Sequence, residues 1–94
     1  MNVGVLQFSI RLPESHSLKE KRQVVKSLVA QVNNRYNVSA AEVDDQDLWQ
    51  TARIGAACLS NDKRHTNEVL NKALAFASTF DLEMLESNIE IIDI

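Results

Sequence analysis

The feature that most constrains the fold is a change of hydrophobic period at residues 13–22. Residues 2–12 before it alternate between two faces, which predicts a β-strand. The face predicted to meet the core carries Leu6, Phe8, Ile10 and Leu12. Pro13 cannot donate to a strand ladder and therefore closes this run. After residue 17 the apolar residues recur every three or four positions, which predicts a helix from Leu18 to about Asn34.

A capping box is predicted to begin this helix. Residues 17–20 fit the pattern Ser-x-x-Glu, in which the Ser17 hydroxyl accepts from the N–H of Glu20 and the Glu20 carboxylate accepts from the N–H of Ser17. Three cations follow at once, namely Lys19, Lys21 and Arg22. The helix dipole disfavours each of them by about 0.3–1 kcal/mol. Two interpretations stay open: a solvated face whose cations pair with acids elsewhere, or an anion site, since free N–H groups and clustered cations favour phosphate.

The rest of the chain predicts three more strands and a second helix. Val38–Val43 is a short strand, and the acidic stretch after it forms a turn. Thr51–Ser60 is a strand of small residues that suits a central position. A helix follows and ends near residues 79–81, and its three candidate N-caps are Ser60, Asn61 and Asp62. Residues 82–86 are ambiguous, and the last strand runs from about Ser87 to Ile94.

The order strand, helix, strand, strand, helix, strand predicts an α+β fold of the ferredoxin-like type. Its four-stranded antiparallel sheet has the order 4-1-3-2, with both helices on one face. The 94 residues form a single domain, because they leave no room for two cores. In this topology the loop before the first helix and the turn between strands two and three share one edge of the sheet.

That shared edge carries the candidate functional residues. The predicted anion- or RNA-binding set is Arg11, His16, Ser17, Lys19, Lys21 and Arg22. The topology brings it close to an acidic turn and to a candidate partner-contact set formed by Asp47, Trp49 and Gln50. Trp49 could anchor a partner or stack on a base, although a tryptophan that closes the end of a small core is the favoured interpretation.

The sequence gives little support for a catalytic site, a metal site or a cofactor site. His16 could act as an acid or base, but a single loop histidine is more often a hydrogen-bonded surface residue. A zinc site is not expected, because His16 and His65 are predicted at opposite edges and Cys58 is the only thiol. The aspartates of the acidic turn lack a calcium-loop pattern, and no phosphate-loop motif or cofactor motif is present.

The charge and the hydropathy pattern restrict location and partners. The net charge of −3 counts against extensive nucleic-acid binding, although a local basic patch remains compatible with it. No apolar stretch is long enough to span a membrane, and the N-terminus lacks the pattern of a signal peptide. The single Cys58 cannot form an intrachain disulfide, which fits a reducing compartment. We therefore expect a cytoplasmic protein.

Several segments carry a resemblance to a known family. They are Val3-Gly4-Val5-Leu6, Ser15-His16-Ser17-Leu18-Lys19-Glu20-Lys21-Arg22, Asn37-Val38-Ser39 with Ala41-Glu42-Val43, Gln46-Asp47-Leu48-Trp49-Gln50, and Cys58 with Ser60-Asn61-Asp62. With them the sequence resembles the YlxP-like family of small bacterial proteins, a domain family of unknown function. The resemblance implies a ferredoxin-like fold and an uncharacterised cytoplasmic protein often encoded beside translation factors. It thereby suggests a role near the ribosome and identifies no catalytic residue.

A non-enzymatic interaction domain is the function that the sequence favours, with RNA or the ribosome as a candidate partner. RNA-recognition modules of this topology stack bases on aromatic residues of strands one and three. Here strand three has no aromatic residue, and Phe8 groups with the core face, so that mode is disfavoured. The alternative is a small-ligand or anion-binding regulatory module, and an enzyme ranks third.

The helix-free face of the sheet predicts self-association. Two helices can cover only one face of a four-stranded sheet, and alternation leaves Val3, Val5 and one isoleucine pair of the last strand on the other. Exposed apolar patches usually mark an interface. We therefore expect a homodimer through this face, with pairing along the edge of strand two or four as an alternative.

Overall fold

The computed structural model describes residues 1–94, and its elements follow the predicted order. The four strands are β1 (Asn2–Arg11), β2 (Ser39–Asp44), β3 (Thr51–Ser60) and β4 (Glu83–Asp93), and the two helices are α1 (Leu18–Arg35) and α2 (Lys63–Ala77). All neighbouring strands are antiparallel, in the order β2-β3-β1-β4. This is the predicted order read from the opposite edge. The ferredoxin-like α+β fold is therefore confirmed.

The core lies between one face of the sheet and the two helices. Alternate residues of β1 and β3 are buried on this face, as the period of two predicted. The helices contribute the buried residues Val25, Leu28 and Val32 from α1, and Leu70, Ala73 and Ala77 from α2. Leu12 follows β1 directly, is also buried, and closes the core at the edge where α1 begins.

Gly4 lets α2 approach β1 closely. A Cβ atom added at Gly4 would stand 2.7 Å from Cδ1 of Leu70 and closer still to the methyl group of Thr66. The buried hydroxyl of Thr66 donates to Oδ1 of Asn2 at 2.7 Å and lies 2.6 Å from Oγ of Ser60. The missing side chain of Gly4 therefore allows this close packing of α2 on β1.

The ends of two elements differ from the prediction. β4 begins at Glu83 and not near Ser87, because β1 and β4 pair with a register shift between Ser9 and Ile10. This shift breaks the alternation that the prediction used. α2 ends at Ala77 and is followed by a tight turn, in which the N–H of Phe80 donates to the carbonyl of Ala77 at 3.2 Å.

Side chains cap the N-termini of both helices, and one predicted hydrogen bond of the first cap was wrong. Oγ of Ser17 accepts from the N–H of Glu20 at 3.1 Å, as predicted. The Glu20 carboxylate, however, accepts from the N–H of His16 at 2.6 Å rather than from that of Ser17. Among the three candidate caps of α2, Asp62 takes the role. Neither helix combines the length and apolarity needed to cross a bilayer.

Candidate interaction edge

The loop between β2 and β3, residues 45–50, packs against the loop between β1 and α1. The N–H of Leu12 donates to the carbonyl of Gln50 at 2.7 Å. The side-chain amide of Gln50 donates to the carbonyl of Ser15 at 3.2 Å. We call residues 45–50 the hairpin loop. Its contact with residues 12–15 shows that the two predicted segments do meet at one edge of the sheet.

Lys21 is a buried cation that fixes the hairpin loop to α1. Its ammonium donates to the carbonyl of Asp45 and lies 3.0 Å from Oε2 of Glu42. The Glu42 carboxylate is largely buried, and Oε2 has no other hydrogen-bond partner, so the ammonium is its only counter-charge. Asp45 itself has a φ of 65°, a left-handed conformation that aspartate tolerates better than most residues. Lys21 therefore joins α1, β2 and the hairpin loop and is not free to meet a ligand.

The remaining members of the predicted anion- or RNA-binding set differ in position and in whether their side chains are free to bind a ligand. Ser17 caps α1, and Arg11 pairs with Glu83 at 3.7 Å. His16, Lys19 and Arg22 are exposed. Arg22 borders a groove between α1 and β2, away from the start of the helix.

Acidic groups accompany these cations. The Glu20 carboxylate stands at the N-terminal end of α1, where an external anion would meet its charge. A depression between the β1–α1 loop and the α2–β4 turn is lined by three acids, Glu14, Glu20 and Asp81. The edge is therefore of mixed charge, which suits a protein surface better than a phosphate backbone.

The hairpin loop presents two large apolar side chains to solvent. Leu48 is 51% exposed and Trp49 is 49% exposed, and Asp47 beside them is exposed too. The favoured interpretation of Trp49 as a plug of the core is therefore wrong. Leu12 closes that end of the core, and Gln50 is the loop residue that bonds inward. Of the three predicted partner-contact residues, Asp47 and Trp49 are displayed, whereas Gln50 holds the loop in place.

The role of Lys21 was missed, although the sequence contained a signal for it. Lys21 lies three residues after Leu18 and four before Val25, so it falls on the apolar stripe of α1. A cation on a buried stripe requires a counter-charge. Glu42 shares the core-facing side of β2 with Ala40 and provides it.

Comparisons with known proteins agree with the resemblance seen in the sequence. Residues 3–89 match the family described as "Protein of unknown function (DUF503)". "Uncharacterized protein YlxP" of Bacillus subtilis (strain 168) is 36% identical over 78 residues, which cover 83% of this chain and 85% of that protein.

A solved structure described as "Structure of the REP associates tyrosine transposase bound to a REP hairpin" superposes with a TM-score of 0.44 at 12% identity. That superposition covers 98% of this chain, which spans 56% of the transposase chain. The match over residues 3–89 and the relative in Bacillus subtilis decide the family. The chain belongs to the YlxP-like family of proteins of unknown function, DUF503.

Proposed function

We propose that the protein is a non-catalytic interaction domain of the cytoplasm that binds another protein through its hairpin loop. The observation that carries this proposal is the exposure of Leu48 and Trp49, side by side, on a loop that is held at both ends. Gln50 contacts the β1–α1 loop twice, and Lys21 holds the carbonyl of Asp45. The N–H of Leu48 also donates to this carbonyl at 3.0 Å.

Such an anchored loop is well suited to binding. An immobilised loop has less conformational entropy to lose when a partner docks. Tryptophan is among the residues that contribute most when they are buried at the centre of an interface. Charged residues of the loop, such as the exposed Asp47, would contribute to the polar rim that usually surrounds such a centre.

RNA binding and anion binding have weaker support from the geometry. Phe8 is buried, and no aromatic residue lies on the helix-free face of β1 or β3, so the sheet offers no stacking platform for bases. Lys21 is paired with Glu42 inside the fold, and Glu20 occupies the start of α1. A partner on the ribosome remains compatible with this proposal if the contact is a ribosomal protein.

The test is affinity capture from native cytoplasm with the wild-type chain and the variant Trp49→Ser. We expect the wild type to retain a specific protein partner that survives ribonuclease treatment, and Trp49→Ser to lose it. Ile94→Ser is the matched control, because Ile94 is also apolar and exposed and lies at the end of β4 beside Met1. The control should retain the partner.

Two outcomes would contradict the proposal. If Trp49→Ser and Ile94→Ser capture the partner as well as the wild type does, the hairpin loop is not the contact. If ribonuclease removes the partner from the wild type, RNA forms the contact, and RNA binding becomes the favoured function.

A further inference from the structure

The sheet face that neither helix covers has an apolar half and a polar half. The strand register places its side chains in rows that cross β3, β1 and β4. The first row is apolar on all three strands and consists of Leu59, Val3 and Ile92. The second row has Ala57 on β3 and Val5 on β1, and its member on β4 is the exposed Glu90. The fourth row is polar and consists of Arg53, Ser9 and Glu86.

We propose that this open face is the interface of a homodimer whose two-fold axis runs close to the direction of β1. Such an axis exchanges β3 with β4 and leaves each row opposite the same row of the second copy. Leu59 of one copy then lies over Ile92 of the other. Val3 and Val5, on the central strand, lie close to the axis and meet their own counterparts. Leu59 and Ile92 are 56% and 44% exposed in the single chain, so both would lose contact with water.

The polar half is complementary to itself under the same rotation. Arg53 reaches across β1, where its guanidinium donates to Oε1 of Gln7 at 3.1 Å, to Oγ of Ser9 at 2.7 Å and to Oε1 of Glu86 at 2.9 Å. Arg53 lies on β3 and Glu86 on β4, the two strands that the axis exchanges. Each arginine would therefore stand opposite a glutamate of the other copy, as a two-fold interface requires.

The area that the two copies would share fits a weak dimer. The rotation superposes β3, β1 and β4 and leaves the shorter β2 uncovered. Three strands about 4.8 Å apart and ten residues of about 3.3 Å each give a covered area of roughly 475 Å². Two copies would bury about 950 Å² in total, which falls in the class of weak interfaces.

The edges of the sheet are less suited to pairing than its face. At the outer edge of β2 the side-chain amide of Asn33 bonds both backbone groups of Ala40, at 3.2 Å to the carbonyl and 2.9 Å to the N–H. This part of the edge is therefore already paired within the chain. At the other edge, β4 carries four acids, Glu83, Glu86, Glu90 and Asp93. Antiparallel pairing of two β4 strands would bring like charges together.

Sedimentation equilibrium over a range of micromolar concentrations tests the proposal first. The wild type should approach twice its 10.6 kDa mass as its concentration rises. Val5→Glu should remain a monomer, because it places a carboxylate near the axis. Leu48→Glu is the matched control; it changes an exposed apolar residue of the hairpin loop, outside the open face, and should leave the dimer intact. A wild type that stays at 10.6 kDa throughout would overturn the proposal.

A charge exchange tests the direction of the axis. Arg53→Glu and Glu86→Arg should each weaken self-association at least tenfold, because each variant faces like charges in its own dimer. An equimolar mixture of the two variants should restore the dimer, since every contact of the mixed pair joins opposite charges. A mixture no more associated than its components would overturn the arrangement. A failed charge exchange would not count against partner binding through the hairpin loop, because the capture experiment changes Trp49, which lies outside the open face.

Discussion

At the scale of single residues, the site depends on side chains whose surroundings the sequence did not reveal. Lys21 was expected at the surface, either paired with an acid elsewhere in the fold or beside an anion, and it is buried against Glu42. Trp49 was expected in the core and is half exposed. Both residues lie where a helix or strand meets a loop, and there the packing of the neighbouring segment decides which side chain turns inward. Periodicity describes regular elements and loses its predictive power at such junctions.

Replacing Lys21 should measure the internal ion pair. Lys21→Met is expected to lower the free energy of unfolding by about 3 kcal/mol, because it leaves the largely buried carboxylate of Glu42 without a counter-charge. The double variant Lys21→Met/Glu42→Leu should recover much of this loss. Urea denaturation measures all three proteins. Lys26→Met, an exposed cation of the same helix, is the control and should change stability by no more than about 0.5 kcal/mol. Equal losses for Lys21→Met and Lys26→Met would argue against a structural role of the pair.

The two glycines of the sheet should respond differently to alanine. Gly4→Ala should destabilise the fold by about 1–3 kcal/mol, because the new methyl group would collide with Leu70 and Thr66 of α2. Gly55→Ala meets only the side chain of Val43, at 3.1 Å, and Val43 is half exposed and can move. We therefore expect Gly55→Ala to shift stability by less than about 1 kcal/mol. Thermal unfolding followed by circular dichroism compares the pair, and equal effects would contradict the close packing of α2 on β1.

At the scale of elements, the sequence predicted most of the fold because regular periods dominate this chain. The alternation of β1 and β3 and the stripe of α1 identified three elements and their buried faces. β4 was predicted four residues short, since its register shift against β1 interrupts the alternation. The capping box was correct at Ser17 and differed only in the N–H that Glu20 reaches. Local hydrogen-bonding patterns and long periods can thus be read from sequence, whereas a bulge depends on the partner strand.

The cap of α1 gives a prediction at this scale. Ser17→Ala should lower the free energy of unfolding by about 0.5–2 kcal/mol, because the N–H of Glu20 loses its acceptor. Ser27→Ala, an exposed substitution within the same helix, is the control and should be neutral or slightly stabilising, since alanine favours a helix. The midpoints of denaturant unfolding compare Ser17→Ala with Ser27→Ala. An unchanged midpoint for Ser17→Ala would contradict the cap.

At the scale of the whole molecule, the fold separates two surfaces. The hairpin loop exposes Leu48 and Trp49 at the edge of the sheet where α1 begins. The open face extends along the strands from that edge to the opposite edge, where β4 ends. Topology alone predicted that the hairpin and the β1–α1 loop would meet, since both connect elements at one edge of the sheet. It could not predict that Gln50 would turn inward and Trp49 outward. That choice follows from the bonds of Gln50 to Leu12 and Ser15.

Fluorescence of Trp49 reports on binding at the hairpin loop without interference, because Trp49 is the only tryptophan of the chain. In the free protein, emission at long wavelength and ready quenching by acrylamide are expected from a half-exposed indole. Addition of the partner recovered by capture should move the emission to shorter wavelength and protect it from acrylamide, with Leu48→Ser weakening the titration. A partner that binds while the emission and quenching of Trp49 stay unchanged would contradict the assignment of the hairpin loop as the contact surface.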